Sequence, residues 1–365
     1  MKIKEIIAAL ENWAPKSYQE PYDNSGLIVG SAEGEVTKCL VSLDCIESVL
    51  DEAIEKGAEL IVSHHPIVFN GLKSLTGKNY VERVVIKAIQ NNIAIYAIHT
   101  NLDNISTGVN LKIAEKLKLI NIKVLAPKQG LLKKLVTFVP IANAEQVKNA
   151  LFEAGAGHIG NYSECSFQTE GKGNFKAGAK TNPFVGEQDI RHNEKEVRLE
   201  VVLTSDKESR IIHTLNASHP YEEVAYDLYP LDNAIQAIGS GMIGELEKPL
   251  KESDFLAHVK TNMDTTCIRH TAFTNREVKK VAFCGGSGSF LLGQAIRQKA
   301  DAFITGDFKY HEFFDADGKL MILDVGHFES EQFTIDLIAE KIQENFPIFA
   351  VLKTGVDTNP ISYYK

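Results

Sequence analysis

Apolar residues along this chain follow two alternating rhythms. Ile3, Ile6, Ile7, Leu10 and Trp13 fall at spacings that place them on one helical face. Short apolar runs at 40–43 and 60–62 then flank a helix-like stretch at 48–56. A second helix-like stretch at 80–89 precedes another apolar run at 93–98. Short continuous runs suit strands buried on both faces. This βαβα order therefore predicts a largely parallel sheet covered by helices over residues 1–126.

Pro127 to Gly130 reads as a linker, and beyond it the pattern changes. A strand-like run at 135–139 leads to a helix over 144–154 and then to polar and Gly-rich stretches. A strand at 196–203, a helix over 207–212 and a strand at 225–230 follow. That βαββαβ-like order predicts a small ferredoxin-like α+β insert over 131–232. The βαβα rhythm resumes over 233–365, with strands at 281–284, 302–304, 321–323 and 349–352 and a last helix at about 330–344. The expected fold class is α/β, with one core domain split by the insert.

Composition narrows the function. The net charge of −9 argues against a general nucleic-acid binder, whose footprint would be basic, but leaves room for a single nucleotide. Five scattered cysteines without a C-x-x-C pair suit reduced thiols in a cytoplasmic protein. The N-terminus lacks a continuous signal-peptide core, and no run approaches the roughly 20 apolar residues of a membrane-spanning helix.

The chemistry gathers where buried strands end. The run at 60–62 exits into Ser63, His64, His65 and Pro66; the run at 93–98 exits into His99, Asn101, Asp103 and Asn104. The run at 321–323 exits into His327, Glu329 and Glu331. In open α/β sheets these carboxyl ends form the ligand crevice, and imidazole with carboxylate is the usual donor set for Zn, Mn or Fe(II). Adjacent side chains on an extended segment diverge, so His64 and His65 suit two ions, or one ion and its surroundings, better than one shared ion. The alternative is a pair of partly exposed loop histidines. His327 and Glu331, four apart, share a helical face, whereas Glu329 would point elsewhere. A ligating imidazole needs a partner on its other nitrogen, a role open to His99 or Asn104. The bland reading of 101–104 is an Asx-type turn or helix cap.

Weaker signals sort by context. Ser218, His219 and Pro220 with Glu222 and Glu223 echo the first histidine pair, but between a helix and a strand they read as structural. Gly239 to Gly244 matches G-x-G-x-x-G by letter, yet no clear strand precedes it, so the dinucleotide reading fails. Gly285 to Gly288 either holds an anion on backbone amides or makes a tight turn. Asp307, Lys309 and His311 either face the crevice, as proton or substrate handlers, or serve as turn and cap residues. No G-x-S-x-G elbow is present, and no cysteine has an obvious histidine partner nearby in sequence.

The combination of SHHP at 63–66, HTNLD at 99–103, TGD at 305–307 with His311, and His327 with Glu331 resembles one known group. With YDNSGL at 22–27, it is similar to the NGG-interacting-factor-like dinuclear metal family, many of whose members are called GTP cyclohydrolase 1 type 2 homologues. The resemblance spans both outer segments, and the insert looks like the PII- or CutA-like domain of longer bacterial members.

It implies metal ligands at His64, His65, Asp103, His327 and Glu331, with Glu331 bridging two divalent ions of Zn, Mn or Fe. It also implies a toroidal homohexamer, a dimer of trimers, whose metal sites face an inner cavity. The function implied is metal-dependent hydrolysis of a nucleotide-like small molecule, with Asp307 or His311 as general base or substrate-orienting group. The competing expectation is a non-catalytic metal-binding scaffold, metallochaperone or regulator.

Overall fold

Leu60, Ile61, Val62 and Ser63 are completely buried, as a strand covered on both faces requires. A computed structural model, which describes residues 1–364, places them at the centre of a five-stranded sheet. Its spatial order is Gly26–Val29, Ala94–Ala97, Leu60–Ser63, Lys38–Ser42 and Ala350–Lys353. The last four strands run parallel, and Gly26–Val29 pairs antiparallel at one edge. Helices Glu47–Lys56 and Tyr80–Gln90 cover it, burying Val49, Leu50, Ala53, Val84, Val85 and Ala88. The Asn79 side chain starts the second helix by accepting from the Glu82 amide at 2.9 Å. Each fully buried Leu, Ile or Val contributes about 1.5–3 kcal/mol.

A six-stranded sheet runs Arg269–His270, Met321–Asp324, Ala302–Gly306, Glu277–Ser287, Ile235–Lys251 and Ile120–Lys128. Its centre is again parallel. The split core thus contains two sheets, and each segment of the chain donates an edge strand to the other's. Ala350–Lys353 joins the first sheet beside Lys38–Ser42, while Ile120–Lys128 joins the second. Neither outer segment completes its sheet alone, which is why Met1–Pro127 and the chain from Gln236 onward form one compact unit. The strand Ile235–Lys251 absorbs the glycines at 239–244, where the sequence predicted none. A Cβ on Gly239 would stand 2.1 Å from the Ala126 carbonyl oxygen, so glycine permits this close strand approach.

Lys128–Ile235 is the second unit. Its strands lie in the order Ser166–Lys176, Arg191–Thr204, Leu132–Pro140 and Tyr226–Leu231, all antiparallel. With helices Ala144–Glu153 and Glu208–Ser218 this is the ferredoxin-like βαββαβ arrangement. Leu135, Leu199 and Val201 pack against Val147, Leu151, Ile211 and Leu215 of the helices. The helix expected over 207–212 continues to Ser218, because Leu215 keeps the apolar face going. Among the described residues no helix is long and apolar enough to cross a membrane.

Candidate metal centre

His64 and His65 continue the pairing of their strand for two residues beyond its last assigned position. Their amides donate to the carbonyls of Ser42 at 3.1 Å and Leu43 at 2.9 Å. Beyond Ala94–Ala97, Asp103 ends the short helix Thr100–Asp103. Beyond Met321–Asp324, His327 and Glu331 open and close the short helix His327–Glu331. Three parallel strands from two sheets thus deliver their polar exits to one place, the position expected of a site in an open α/β sheet.

The side chains converge on Glu331, which is 3% exposed. Its Oε2 lies 3.0 Å from Nε2 of His65 and 3.1 Å from Nε2 of His327. Its Oε1 faces Nε2 of His64 at 3.8 Å, and that nitrogen is 3.5 Å from Oδ1 of Asp103. Ligating atoms of His64, Asp103 and Glu331 therefore form one group within 4.8 Å of one another, and those of His65, His327 and Glu331 form a second. A third such group comprises His64, His65 and His99.

Two observations test whether a cation fits here. Nε2 of His64 and Oδ1 of Asp103 are buried and have no hydrogen-bond partner, an expensive arrangement unless something else satisfies both. The Nε2 atoms of His65 and His327 stand 3.3 Å apart, a spacing that two bare lone pairs oppose and a proton or cation permits. The donor set, imidazole nitrogen with carboxylate oxygen, is that of Zn, Mn or Fe(II). The residues fit a metal.

Burial holds His64 below the usual histidine range, in the neutral form that ligates. Burial also opposes charge on His65, but the hydrogen bonds its ring donates to Asp44 and Glu331 outweigh it and push the ring up to about 10. Burial and then the charge of Glu331 drive Asp103 upward. Glu331 itself stays well below the carboxylate range despite burial, because His327 and the other imidazoles surround it. Carboxylates and imidazoles compete for too few protons, and a divalent cation resolves that competition.

Each imidazole is fixed through its far nitrogen. Nδ1 of His64 donates to the Ile98 carbonyl at 2.8 Å. Nδ1 of His65 meets Asp44 at 2.8 Å, and Nδ1 of His327 meets Asp307 at 2.7 Å. These contacts turn every Nε2 toward Glu331. Neither His99 nor Asn104 fills that role, contrary to expectation. Asn104 turns away to the Tyr18 carbonyl and Glu20 at 2.9 and 2.8 Å. His99 is itself held at Nδ1 by buried Asp23, 2.7 Å away.

Sequence reasoning missed Asp44, and gave Asp23 no role although it cited the YDNSGL motif that contains it. Asp44 has a faint signal, since it follows the apolar run at 40–43 as His64 follows its own.

Asp307 lies at the centre, bonded to His327, with a left-handed φ of 59° that an aspartate tolerates. His311 does not join it: exposed in the turn Tyr310–Ala316, it packs beside Tyr310 and Phe314. Glu329 points elsewhere, to the Asn359 amide at 3.2 Å. The Gly285 and Gly286 amides are taken by Asn110 at 3.0 Å and Ser330 at 2.9 Å, so they form no anion cradle, and the stretch is neither that nor a simple tight turn but the irregular end of the strand Glu277–Ser287. Gly286, with φ of 63°, is glycine for a steric reason, since a Cβ there would sit 2.4 Å from Oε1 of Glu331. A cavity of about 400 Å³, walled by Tyr22, Phe69 and Phe290, opens onto His65, His99 and Glu331.

The family model described as Duf34/NIF3 (NGG1p interacting factor 3) matches residues 1–360. A Halalkalibacterium halodurans protein named GTP cyclohydrolase 1 type 2 homolog is 42% identical over 365 residues, covering 98% of each chain. A Bacillus subtilis protein of the same name is 39% identical over 366 residues, covering 99% of this chain and 98% of that one. The crystal structure of a Bacillus cereus protein related to NIF3 superimposes with a TM-score of 0.84 at 38% identity, covering 100% of this chain and 99% of that one.

Proposed function

The chain belongs to the Duf34/NIF3 family, and from that premise we propose that it is a dinuclear metal-dependent hydrolase of a small nucleotide-like substrate. His64, Asp103 and Glu331 would hold one ion and His65, His327 and Glu331 the other, with Glu331 shared between them. The observation that carries this reading is the orphaned pair, Nε2 of His64 and Oδ1 of Asp103, facing a carboxylate whose other oxygen meets two more imidazoles. Bound together, such ions polarise a carbonyl or phosphoryl oxygen and bring the pKa of a bound water toward about 7.

The remaining work falls to side chains. Asp44 and Asp307 hold the rings of His65 and His327 in place. His99, fixed by Asp23, lines the cavity and is positioned to contact substrate there. Tyr22, Phe69 and Phe290 supply apolar walls suited to a flat heterocycle. The names of the relatives point to GTP as the first substrate to try. The proposal includes a toroidal homohexamer in the cytoplasm, for which a solution mass six times that of the chain is the expected result.

The deciding experiment measures metal per chain for the protein and for His65→Ala, alongside GTP turnover after reconstitution. Two ions, fewer in the variant, and metal-dependent turnover support the proposal. Two ions without turnover with GTP or related nucleotides favour a non-catalytic metal-binding scaffold or regulator. No bound metal after reconstitution overturns the centre itself.

A further inference from the structure

His65 comes from the first sheet, whereas His327 and Glu331 come from the second, so the ligand group they form spans both. Its geometry depends on how the two sheets are fastened at this end. The helix His327–Glu331 is five residues long, too short to hold its direction through internal hydrogen bonds. Ser330 ties it to the second sheet by accepting from the Gly286 amide at 2.9 Å. A tie to the first sheet comes from the segment that follows Ala350–Lys353.

That strand pairs parallel with Lys38–Ser42, which pairs parallel with Leu60–Ser63. The chain therefore leaves it at the end of the sheet where Asp44 and His65 emerge. The first residues beyond the strand are pinned. The Thr354 amide donates to the Val41 carbonyl at 2.9 Å, its hydroxyl to Glu52, and the Gly355 amide to Glu52 at 2.9 Å.

The next anchors reach the metal centre. The hydroxyl of buried Thr358 donates to Oδ2 of Asp44 at 2.8 Å, while Oδ1 of the same carboxylate accepts from Nδ1 of His65. Asn359 donates from its side-chain amide to Oε1 of Glu329 at 3.2 Å, inside the helix that carries His327 and Glu331. Two side-chain turns set this geometry: Asp357 accepts from the Asn359 amide, and Asn359 from the Ile361 amide, each at 3.0 Å. One dipeptide thus grips both halves of the ligand group.

The terminal torsion of an aspartate is broad, so a carboxylate held by one oxygen can swing. With Thr358 on Oδ2, the other oxygen stays where the His65 ring needs it. Taking the two-ion centre as the basis, we propose that Thr358 and Asn359 are positioning residues that fasten Asp44 and His65 to the His327–Glu331 helix. They set the affinity of the ion at His65 and His327 more than that of the ion at His64, whose ring is held by the Ile98 carbonyl instead.

Zinc titration of the full chain against a competing chelator reads the two affinities separately. Thr358→Val keeps the side-chain volume and deletes the donor. It should weaken the ion at His65 and His327 by about threefold or more, and by about tenfold when combined with Asn359→Ala, within the range of outer partners. The ion at His64 changes less, and Thr358→Ser, which returns the hydroxyl, restores the native value. Thermal melting of the metal-free variants checks folding. A merely structural strap would lower the melting temperature and leave the ratio of the two affinities unchanged. That result, or a double variant that holds both ions as tightly as the unaltered chain, overturns the proposal alone. Fewer than two ions in the unaltered chain would instead sink the two-ion centre, and the positioning role with it.

Discussion

Two histidine–proline motifs occur in this chain, one at 64–66 and one at 219–223 with two acids close behind it, and they end in opposite chemical states. His64 is completely buried with Nδ1 satisfied and Nε2 left without a partner. His219 is also buried, but its Nε2 donates to the Phe138 carbonyl at 3.0 Å and its Nδ1 accepts from the Tyr221 amide at 3.1 Å. One imidazole has a free lone pair aimed at carboxylates; the other has spent both nitrogens on the backbone. Capacity to ligate therefore depends on what the surrounding fold leaves unsatisfied rather than on the letters of the motif.

That contrast is sharpest at Glu331. On the proposed two-ion reading, Glu331→Ala should weaken binding of both ions by more than about 100-fold, beyond what loss of an outer partner costs. Metal content after equilibrium dialysis reads this directly, and two tightly held ions in the variant would break the comparison. Asp44→Ala frees the ring of His65, besides the Thr358 hydroxyl, so on the same reading it should weaken an ion at His65 and His327 by about 10–100-fold while an ion at His64 changes less. Stepwise competition with a chelator distinguishes the two ions.

The insert motif should respond in the opposite currency. His219→Ala leaves the Phe138 carbonyl unpaired and should cost about 1–3 kcal/mol of stability, with metal content unchanged. Urea unfolding followed alongside metal analysis checks both halves, and any loss of metal would show that the insert motif is not merely structural. The smallest effect is expected at exposed His311, where His311→Ala should keep metal content and stay within about 0.5 kcal/mol in stability. A tenfold or greater fall in turnover there, at full metal content, would restore it as a substrate-handling residue.

The strand exits at His64, His65, Asp103 and His327 were legible because a short apolar run followed by a polar cluster is a local pattern. The βαββαβ order of the insert was legible for the same reason, since its helices and strands differ in period. The strand Ile235–Lys251 was not, because its glycines serve a neighbouring backbone that no local window contains. Asp44 and Asp23 were missed because each acts on a histidine distant in sequence, 21 and 76 residues away.

By itself, then, the sequence determined most helices and the central strands, the α/β class, the interruption by an insert and the residue types that bear chemistry. These rest on periodicity and composition, which neighbouring residues express without help. Only the tertiary structure decided that Glu331 meets His65 across 266 positions, and that His327 rather than His311 faces the same point. It also decided which ring nitrogens remain free. Those outcomes depend on exchanged edge strands and on the costs of leaving buried polar atoms unpaired, and both are settled only when the sheets have closed.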